Sequence, residues 1–284
     1  MKIFHLLGFC LLTINLIGQD AFSGVFQETE TELKYLEAAN WEALSSQHKE
    51  MDSLGYRLID LEGFANKDNS EFWAIWQKDT LYSEFHRMEE WVEVVKMKRK
   101  MVKLGFILDD IEVVTDQFGD IFFVGVWKKG KEIHKIWKLD SWNGLLKKNK
   151  EMARDYMVLV DIEPYIDQSG VFRYLAVYHP GGFFETSHVF TSDDQKAFNV
   201  DRLQRRKSGY RMMDFELFSS KGKSSYIGVF HRGTQKEALR QNLKKDNFEE
   251  HRQQLKANNS IQLVDIEIHS GEGVFQKLRA EKGK

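Results

Sequence analysis

The stretch Gly105–Trp127, GFILDDIEVVTDQFGDIFFVGVW, contains two features that recur along the chain. The first feature is a pair of acids separated by one residue, here Asp110 and Glu112. The equivalent pairs elsewhere in the chain are Asp60/Glu62, Asp161/Glu163, Asp214/Glu216 and Asp265/Glu267. Successive aspartates of this set are 50, 51, 53 and 51 residues apart.

The second feature is a five-residue apolar segment downstream of each of the first four pairs. It begins and ends with an aromatic residue and has Ala or Gly at its centre: Phe72–Trp76, Phe123–Trp127, Tyr174–Tyr178 and Tyr226–Phe230. Two features that keep one period indicate internal repeats of about 51 residues. The predicted repeats are residues 29–79, 80–131, 132–182, 183–234 and 235–280.

Each repeat has the pattern strand, helix, strand, strand. Gly55, Gly105 and Gly209 follow three of the helices, as C-terminal glycines commonly do. Short turns such as Lys78–Thr80 lead from each third strand to the next first strand and favour antiparallel hairpins. The predicted fold class is therefore α+β: a tandem array of five βαββ repeats, with a largely antiparallel sheet and helices on one face. The array is either an open curve or a closed five-unit ring.

The two ends of the array depart from this pattern. Asp20–Glu28 precedes the first repeat, and we expect it to form a short, poorly ordered lead. The last repeat lacks aromatic residues at the ends of its third strand, which is assigned to Val274–Ala280. A degenerate last repeat is typical of a terminal cap.

The N-terminus has the form of a secretory signal. Lys2 precedes the apolar run Ile3–Ile17, which is too short to span a bilayer comfortably. We predict a signal peptide over residues 1–20, a mature N-terminus between Gln19 and Phe22, and a secreted or periplasmic location. Cys10, the only cysteine, lies within this run, so the mature chain has no disulfide and no thiolate metal site.

The glycine–aromatic helix end, the acidic strand and the aromatic segment together resemble a repeat of secreted bacterial proteins called bacterial tandem repeat domain 1. Similar repeats form the N-terminal part of secreted fungal polyglycine hydrolases. The resemblance rests on Gly55-Tyr56, Gly105-Phe106 and Gly209-Tyr210, together with the four aromatic segments. In those hydrolases the chemistry sits in a separate serine β-lactamase-like domain, so the resemblance implies a repeat array without that activity.

The acidic pairs are the main candidates for chemistry. Carboxylates two residues apart on a strand share a face and are suitable ligands for calcium. Alternatively, each Asp accepts a backbone N–H or pairs with a Lys or Arg. An apolar residue lies two positions before and one position after each Asp, so the buried face switches at the Asp, as at a β-bulge. Recurrence in every repeat favours the structural role, and the metal assignment stays open for all ten acids.

Other residue types give weaker signals. Two Ser-x-x-Lys matches, at Ser46 and Ser220, lack the partner motifs of a serine acyl enzyme. The histidines keep no ligand spacing, and the net charge of −2 predicts no nucleic-acid partner. Trp73 and Trp137 are the candidate ligand-binding aromatics, provided that their rings are exposed.

The sequence therefore predicts a secreted, non-catalytic recognition or scaffold protein that binds an extracellular peptide or glycan. It predicts no cofactor other than calcium as a candidate ion, and no stable membrane insertion once the signal has been removed. The alternative is a secreted hydrolase that uses a cluster of the repeated carboxylates, with or without calcium.

Overall fold

The computed structural model describes residues 20–66, 69–116, 118–182, 186–220, 223–259 and 261–269. The predicted signal peptide and the strand assigned to Val274–Ala280 lie outside these ranges, except for Asp20. The first half of the described chain contains β1 (Ala21–Glu28), β2 (Leu33–Ala38), α1 (Trp41–Ser53), β3 (Tyr56–Asn66), β4 (Asn69–Lys78), β5 (Ser83–Met88), α2 (Trp91–Lys103), β6 (Phe106–Thr115), β7 (Ile121–Lys129) and β8 (Lys135–Leu139). The second half contains α3 (Trp142–Arg154), β9 (Met157–Ile166), β10 (Phe172–Pro180), β11 (His188–Ser192), α4 (Gln195–Lys207), β12 (Tyr210–Ser220), β13 (Lys223–Arg232), β14 (Glu237–Leu243), α5 (Lys245–Asn259) and β15 (Ile261–His269).

The described strands form five separate three-stranded sheets, and every pairing is antiparallel. We name the strands of each sheet by position. The inner strands are β3, β6, β9, β12 and β15; the middle strands are β4, β7, β10, β13 and β1; the outer strands are β2, β5, β8, β11 and β14. One helix accompanies each sheet, which confirms the predicted tandem βαββ architecture.

The expectation of a poorly ordered N-terminal lead is wrong. Ala21–Glu28 is the middle strand of the fifth sheet and pairs with β14 on one side and β15 on the other. Phe22, Val25 and Phe26 are at most 2% exposed. The segment Phe22-Ser-Gly-Val-Phe26 has the aromatic, small, branched, aromatic order of the other middle strands. The position predicted for Val274–Ala280 is thus filled by β1, so the fifth unit is a complete unit rather than a degenerate cap.

The five units close into a ring. Each apolar core lies between one unit and the next: Leu44 and Leu58 of the first unit, for example, pack with Val124 of the second. The last core joins Phe248 of the fifth unit to Trp73 of the first. The inner strands follow the same circle, because β15 contacts both β12 and β3. Of the two predicted arrangements, the structure has the closed one.

The short turns between repeats do not form hairpins, contrary to the sequence-based expectation. After β4 the chain leaves the first sheet, and β5 pairs with β7 in the second sheet. In the first four sheets the hairpins lie within the sheet instead, between the inner strand and the middle strand that follows it, as in β3–β4. The turns are short because adjacent sheets pack face to face, so the step to the next sheet is small.

Local sequence signals set the helix ends. Asn40 is the N-cap of α1, and its side chain accepts a hydrogen bond from Ala43 N at 2.8 Å. The glycines that end three helices have positive φ, with Gly105 at 77°. Tyr156 occupies the equivalent position of the third unit at a φ of 56°, a conformation in which a non-glycine residue is strained. No helix among the described residues is long and apolar enough to cross a membrane.

The small residue at the centre of β7, Gly125, is closely surrounded by side chains of its own sheet. A Cβ on Gly125 would lie 2.9 Å from Trp127 Nε1 and 3.1 Å from Leu108 Cδ1, so the space is taken by the sheet's own side chains. The helix tryptophan Trp91 instead packs edge-on against Phe123, the first aromatic of the same segment, at 6.3 Å between ring centroids. The tryptophans that begin the first three helices, Trp41, Trp91 and Trp142, therefore pack against the cores.

Candidate functional site

Each inner strand contains a β-bulge directly before its repeated Asp. The register with the middle strand shifts by one residue there in all five sheets, for instance between Leu108 and Asp110. The bulge turns Leu108 and Ile111 toward the same core, although they are three residues apart. The switch of buried face predicted from the sequence is thus confirmed, and the acidic pair is left on the face that points away from that core.

The carboxylates bind the backbone of the neighbouring inner strand. An inner strand is the edge of its sheet. The N–H groups on the side away from the middle strand therefore have no partner strand within the sheet. The carboxylates of the next unit accept these hydrogen bonds at 3.0–3.2 Å: Ile111 N to Asp161 Oδ2, Val113 N to Glu163 Oε1, Ile162 N to Asp214 Oδ2 and Ile266 N to Asp60 Oδ2. The last of these bonds links the fifth unit to the first, so the acids tie the ring together.

The ten acids, which we call the axial carboxylates, are withdrawn from solvent. Nine of them are 6–8% exposed, and Asp60 is half-buried. Within the described part of the chain, none of the ten forms an ion pair with Lys, Arg or His. Negative charge concentrated in this way is costly unless protons or cations neutralise it.

Burial raises the pKa of every axial carboxylate above its usual value. Neighbouring carboxylates raise most of these pKa values further; the charge of Asp161, for example, acts on Asp110. The pKa of Asp214 is raised to about 7 by burial, against the opposing effect of the hydrogen bond from Ile162 N. Without a bound cation, burial therefore favours the protonated form of these carboxyls more than it is favoured in an exposed Asp or Glu.

Three axial carboxylates lie especially close together. Asp161, Asp214 and Glu216 each offer one oxygen, and these three oxygens lie within 4.8 Å of one another. Two further oxygens, Asp110 Oδ2 and Asp265 Oδ2, are buried and accept no hydrogen bond within the described part of the chain. The arrangement can hold shared protons or a cation with oxygen ligands. The arrangement is poorly suited to hydrolysis. A catalytic carboxylate must come within hydrogen-bond reach of the substrate, and these carboxylates are buried.

The structure does not give the two candidate aromatic residues the exposure that a ligand platform needs. Trp73 is 3% exposed and packs edge-on against Phe22 of β1, with ring centroids 5.7 Å apart. Trp137 is half-buried against the core between the third and fourth units. Lys148 Nζ lies 3.7 Å from the centroid of the Trp137 ring and covers that face.

A second set of hydrogen bonds between units was not predicted from the sequence. Side chains at the start of an outer strand bind the inner strand of the preceding unit: Ser83 Oγ accepts from Leu58 N at 3.0 Å, Ser187 Oγ from Leu159 N at 3.0 Å and Glu237 Oε2 from Met212 N at 2.8 Å. These residues lie 27 or 28 positions before the Asp of their own repeat. The constant spacing is present in the sequence. It was missed because the equivalent positions hold different residue types, and the repeats were compared by residue type.

Residues 39–79 match the family model described as a polyglycine hydrolase-like structural repeat. The resemblance predicted from the glycine–aromatic and aromatic-segment motifs is thereby confirmed for this part of the chain. The match extends from the end of β2 through α1, β3 and β4. The part that matches the polyglycine hydrolase-like repeat thus contains one helix, two strands and the first acidic pair of this chain, Asp60 and Glu62. No curated protein matches the chain.

Proposed function

We propose that the chain is a secreted, non-catalytic recognition or scaffold protein in which the five-unit ring presents a binding surface for an extracellular peptide. The observation that carries this proposal is that axial carboxylates of one unit accept backbone hydrogen bonds from the neighbouring unit. Asp60, Asp161 and Asp214 each accept a backbone N–H of the neighbouring unit. Acids that bind the neighbouring unit are expected to recur along a ring of repeats, whereas a catalytic group is needed only once.

The apolar end of the ring is the part that favours a peptide over a glycan. The C-terminal ends of α1–α3 lie beside the turns that follow the middle strands, since Gly130 N donates to Gly105 O at 3.0 Å and Gly181 N to Tyr156 O at 2.7 Å. We call this end the helix-end rim, defined by the exposed side chains of Leu54, Leu81, Tyr82, Leu104, Ile133 and Tyr156. Ile133 is 72% exposed. Several exposed aliphatic side chains at one end suit the apolar side chains of a peptide.

The hairpin turns at the other end of the ring are less suited to binding. Asp116 Oδ1 accepts from Phe118 N and Asp120 N, both at 2.9 Å. Asp167 Oδ1 accepts from Ser169 N and Val171 N at 3.0 Å. These side chains are occupied in shaping their own turns. Within the described residues, the helix-end rim therefore offers the larger set of exposed apolar side chains.

The experiment measures location, turnover and binding on one preparation. Protein recovered outside the producing cells should have an N-terminus between Gln19 and Phe22. It should show no turnover of peptide, ester or glycoside substrates, with or without calcium. Peptides selected from a random display library on the immobilised protein should lose affinity about tenfold or more for the double variant Tyr82→Ser/Ile133→Ser, because the apolar contact area is removed.

The matched control is Val200→Ser, which changes an equally exposed aliphatic residue on α4, outside the helix-end rim. It should leave peptide affinity unchanged. Equal losses in the control and in the double variant would place the binding surface elsewhere. A turnover that disappears in Asp110→Asn, while circular dichroism shows an intact fold, would overturn the non-catalytic proposal in favour of the carboxylate hydrolase.

A further inference from the structure

The axial group of Asp161, Asp214 and Glu216 has the dimensions of a cation site. Calcium binds oxygen ligands at about 2.3–2.6 Å, so two ligands on opposite sides of one ion are about 4.6–5.2 Å apart. One oxygen from each of the three residues lies within 4.8 Å of the others. The three carboxylates can therefore contact a single ion without a change of backbone position.

Two further carboxylate oxygens accept no hydrogen bond from the described residues. Asp110 and Asp265 are each 7% exposed, and their Oδ2 atoms are buried without a hydrogen bond. Both residues occupy the inner-strand position that Asp161 and Asp214 occupy in their own units. Buried polar atoms in folded proteins are nearly always satisfied by protein, water or an ion. These orphaned oxygens are consequently an independent indication that something binds on the axis.

Among the described residues, the basic side chains form their ion pairs away from this region. The axial carboxylates form no ion pair within the described ranges, although basic side chains are paired elsewhere, as in Arg57 with Asp109 at 2.7 Å. That pair shows the contrast clearly, because Asp109 directly precedes the axial Asp110 and is bound by both Arg57 and Lys128. The basic side chains thus bind Asp109, whereas the next residue, Asp110, has no ion pair among the described residues.

We propose that the axial carboxylates bind a divalent cation, calcium by preference, centred on Asp161, Asp214 and Glu216. A donor set made only of carboxylate oxygens suits hard cations and disfavours zinc and copper, which prefer nitrogen and sulfur ligands. Calcium takes six to eight oxygens in flexible geometry, whereas magnesium demands a near-ideal octahedron and usually keeps several waters. A crowded axis with carboxylates from five units therefore favours calcium.

The bound ion stabilises the closed ring. Asp161 belongs to the third unit, and Asp214 and Glu216 belong to the fourth, so one ion bridges two units directly. Each of the two aspartates also holds a backbone N–H of the preceding unit. Calcium binding is therefore coupled to the packing of three consecutive inner strands, and the folded protein should become more stable as the calcium concentration rises.

The test is an equilibrium titration of the full chain after treatment with a chelator and dialysis. Isothermal calorimetry with calcium chloride should give saturable binding with a Kd at or below the ~10⁻⁴–10⁻³ M range of extracellular calcium modules. The thermal midpoint should rise with calcium and fall back when the chelator is added. Magnesium should bind at least about tenfold more weakly, for the geometric reason given above.

Two variants and a control assign the site. Asp214→Asn/Glu216→Gln should weaken calcium binding by about a hundredfold or more, because two charged ligands are lost. Asp265→Asn alone keeps the three central ligands and serves if the double variant fails to fold; it should bind calcium more weakly than the wild type. Glu151→Gln, at an exposed acid on α3, should bind calcium as the wild type does.

The proposal is overturned if the wild type shows no saturable calcium binding up to about 10 mM, well above the expected range. It is also overturned if both axial variants bind calcium as tightly as the wild type. Equal affinity for magnesium would contradict the preference for calcium. In the first case the axial carboxylates would hold protons instead, and the recognition role proposed above would be unaffected.

Discussion

Deleting Ala21–Glu28 should abolish cooperative folding of the fifth unit and destabilise the whole ring. The deleted segment is β1, which supplies backbone hydrogen bonds to β14 and β15 at once. Its Phe22, Val25 and Phe26 belong to two of the five cores, one on each side of the fifth sheet. Each such side chain contributes about 1.5–3 kcal/mol when fully buried, so their loss approaches the 5–15 kcal/mol that a typical protein has in total.

Urea denaturation followed by circular dichroism measures this effect. The control is a chain that lacks only residues 1–20 and keeps β1, which should unfold cooperatively at the midpoint of the full chain. A milder variant, Gly24→Leu, keeps the strand but would place a Cβ 2.6 Å from Leu263 Cδ1. It should cost about 1–3 kcal/mol through overpacking. A deletion variant with an unchanged midpoint would refute the role given to β1.

Glu237→Ala should be the most damaging single substitution of a charged residue between units. The Glu237 side chain is 1% exposed and binds Arg202 Nη1 at 2.9 Å and Met212 N at 2.8 Å. Its removal leaves a largely buried guanidinium and a buried N–H unpaired at the contact of the fourth and fifth units. Breaking a buried ion pair on one side typically costs about 3–5 kcal/mol.

The neighbouring residue gives a matched comparison for the same unfolding measurement. Lys236→Ala removes an ion pair with Glu28 in which both side chains are largely exposed, and the midpoint should hardly change. The double variant Arg202→Met/Glu237→Leu should recover part of the loss, since an apolar pair removes the stranded charge. If Glu237→Ala and Lys236→Ala had equal effects, the buried pair would not support the unit contact.

The features with a fixed period were predictable from the sequence because they depend on residues within one repeat. The strands, the helix after each outer strand and the bulge before each Asp all follow from local patterns of apolar residues. The bulge is the clearest case, since Leu108 and Ile111 could share a core only if the strand gained a residue between them.

The closing strand was missed because its sequence signal lies outside the predicted repeats. Phe22 is 50 residues before Phe72, so β1 keeps the period, yet no acidic pair precedes it in the chain. Its acidic pair is Asp265/Glu267 at the other end, and only ring closure brings the two together. A repeat pattern that is followed along the sequence cannot reveal a unit whose strands come from opposite ends of the described chain.

The axial carboxylates were found as candidates and a backbone N–H was one expected partner of each Asp, but the strand that supplies this N–H could not be predicted. The bonds join consecutive repeats, from Ile162 N to Asp214 for example, so they depend on how units pack rather than on any local motif. The same holds for Ser83, Ser187 and Glu237, which act alike although their side chains differ. The expected aromatic platform failed for a related reason: β1 covers Trp73, and β1 comes from the far end of the chain.

The central claim is that one chain closes the ring with its own N-terminal strand. Glu28 and Ile261 are directly opposite on β1 and β15, and Glu28 N donates to Lys236 O on the other side of β1. Such a non-hydrogen-bonded pair has Cα atoms about 4.5 Å apart, within the range that a disulfide spans. The most direct test is therefore disulfide formation in Glu28→Cys/Ile261→Cys, made in a Cys10→Ser background.

Mild oxidation of dilute, folded protein should convert this double variant almost completely to a cross-linked monomer, which runs faster than the reduced form on a denaturing gel. The control Glu28→Cys/Lys150→Cys, which pairs β1 with an exposed position on α3, should remain reduced as a monomer. Failure of Glu28→Cys/Ile261→Cys to cross-link, or cross-linking only between molecules, would contradict closure of the ring within one chain.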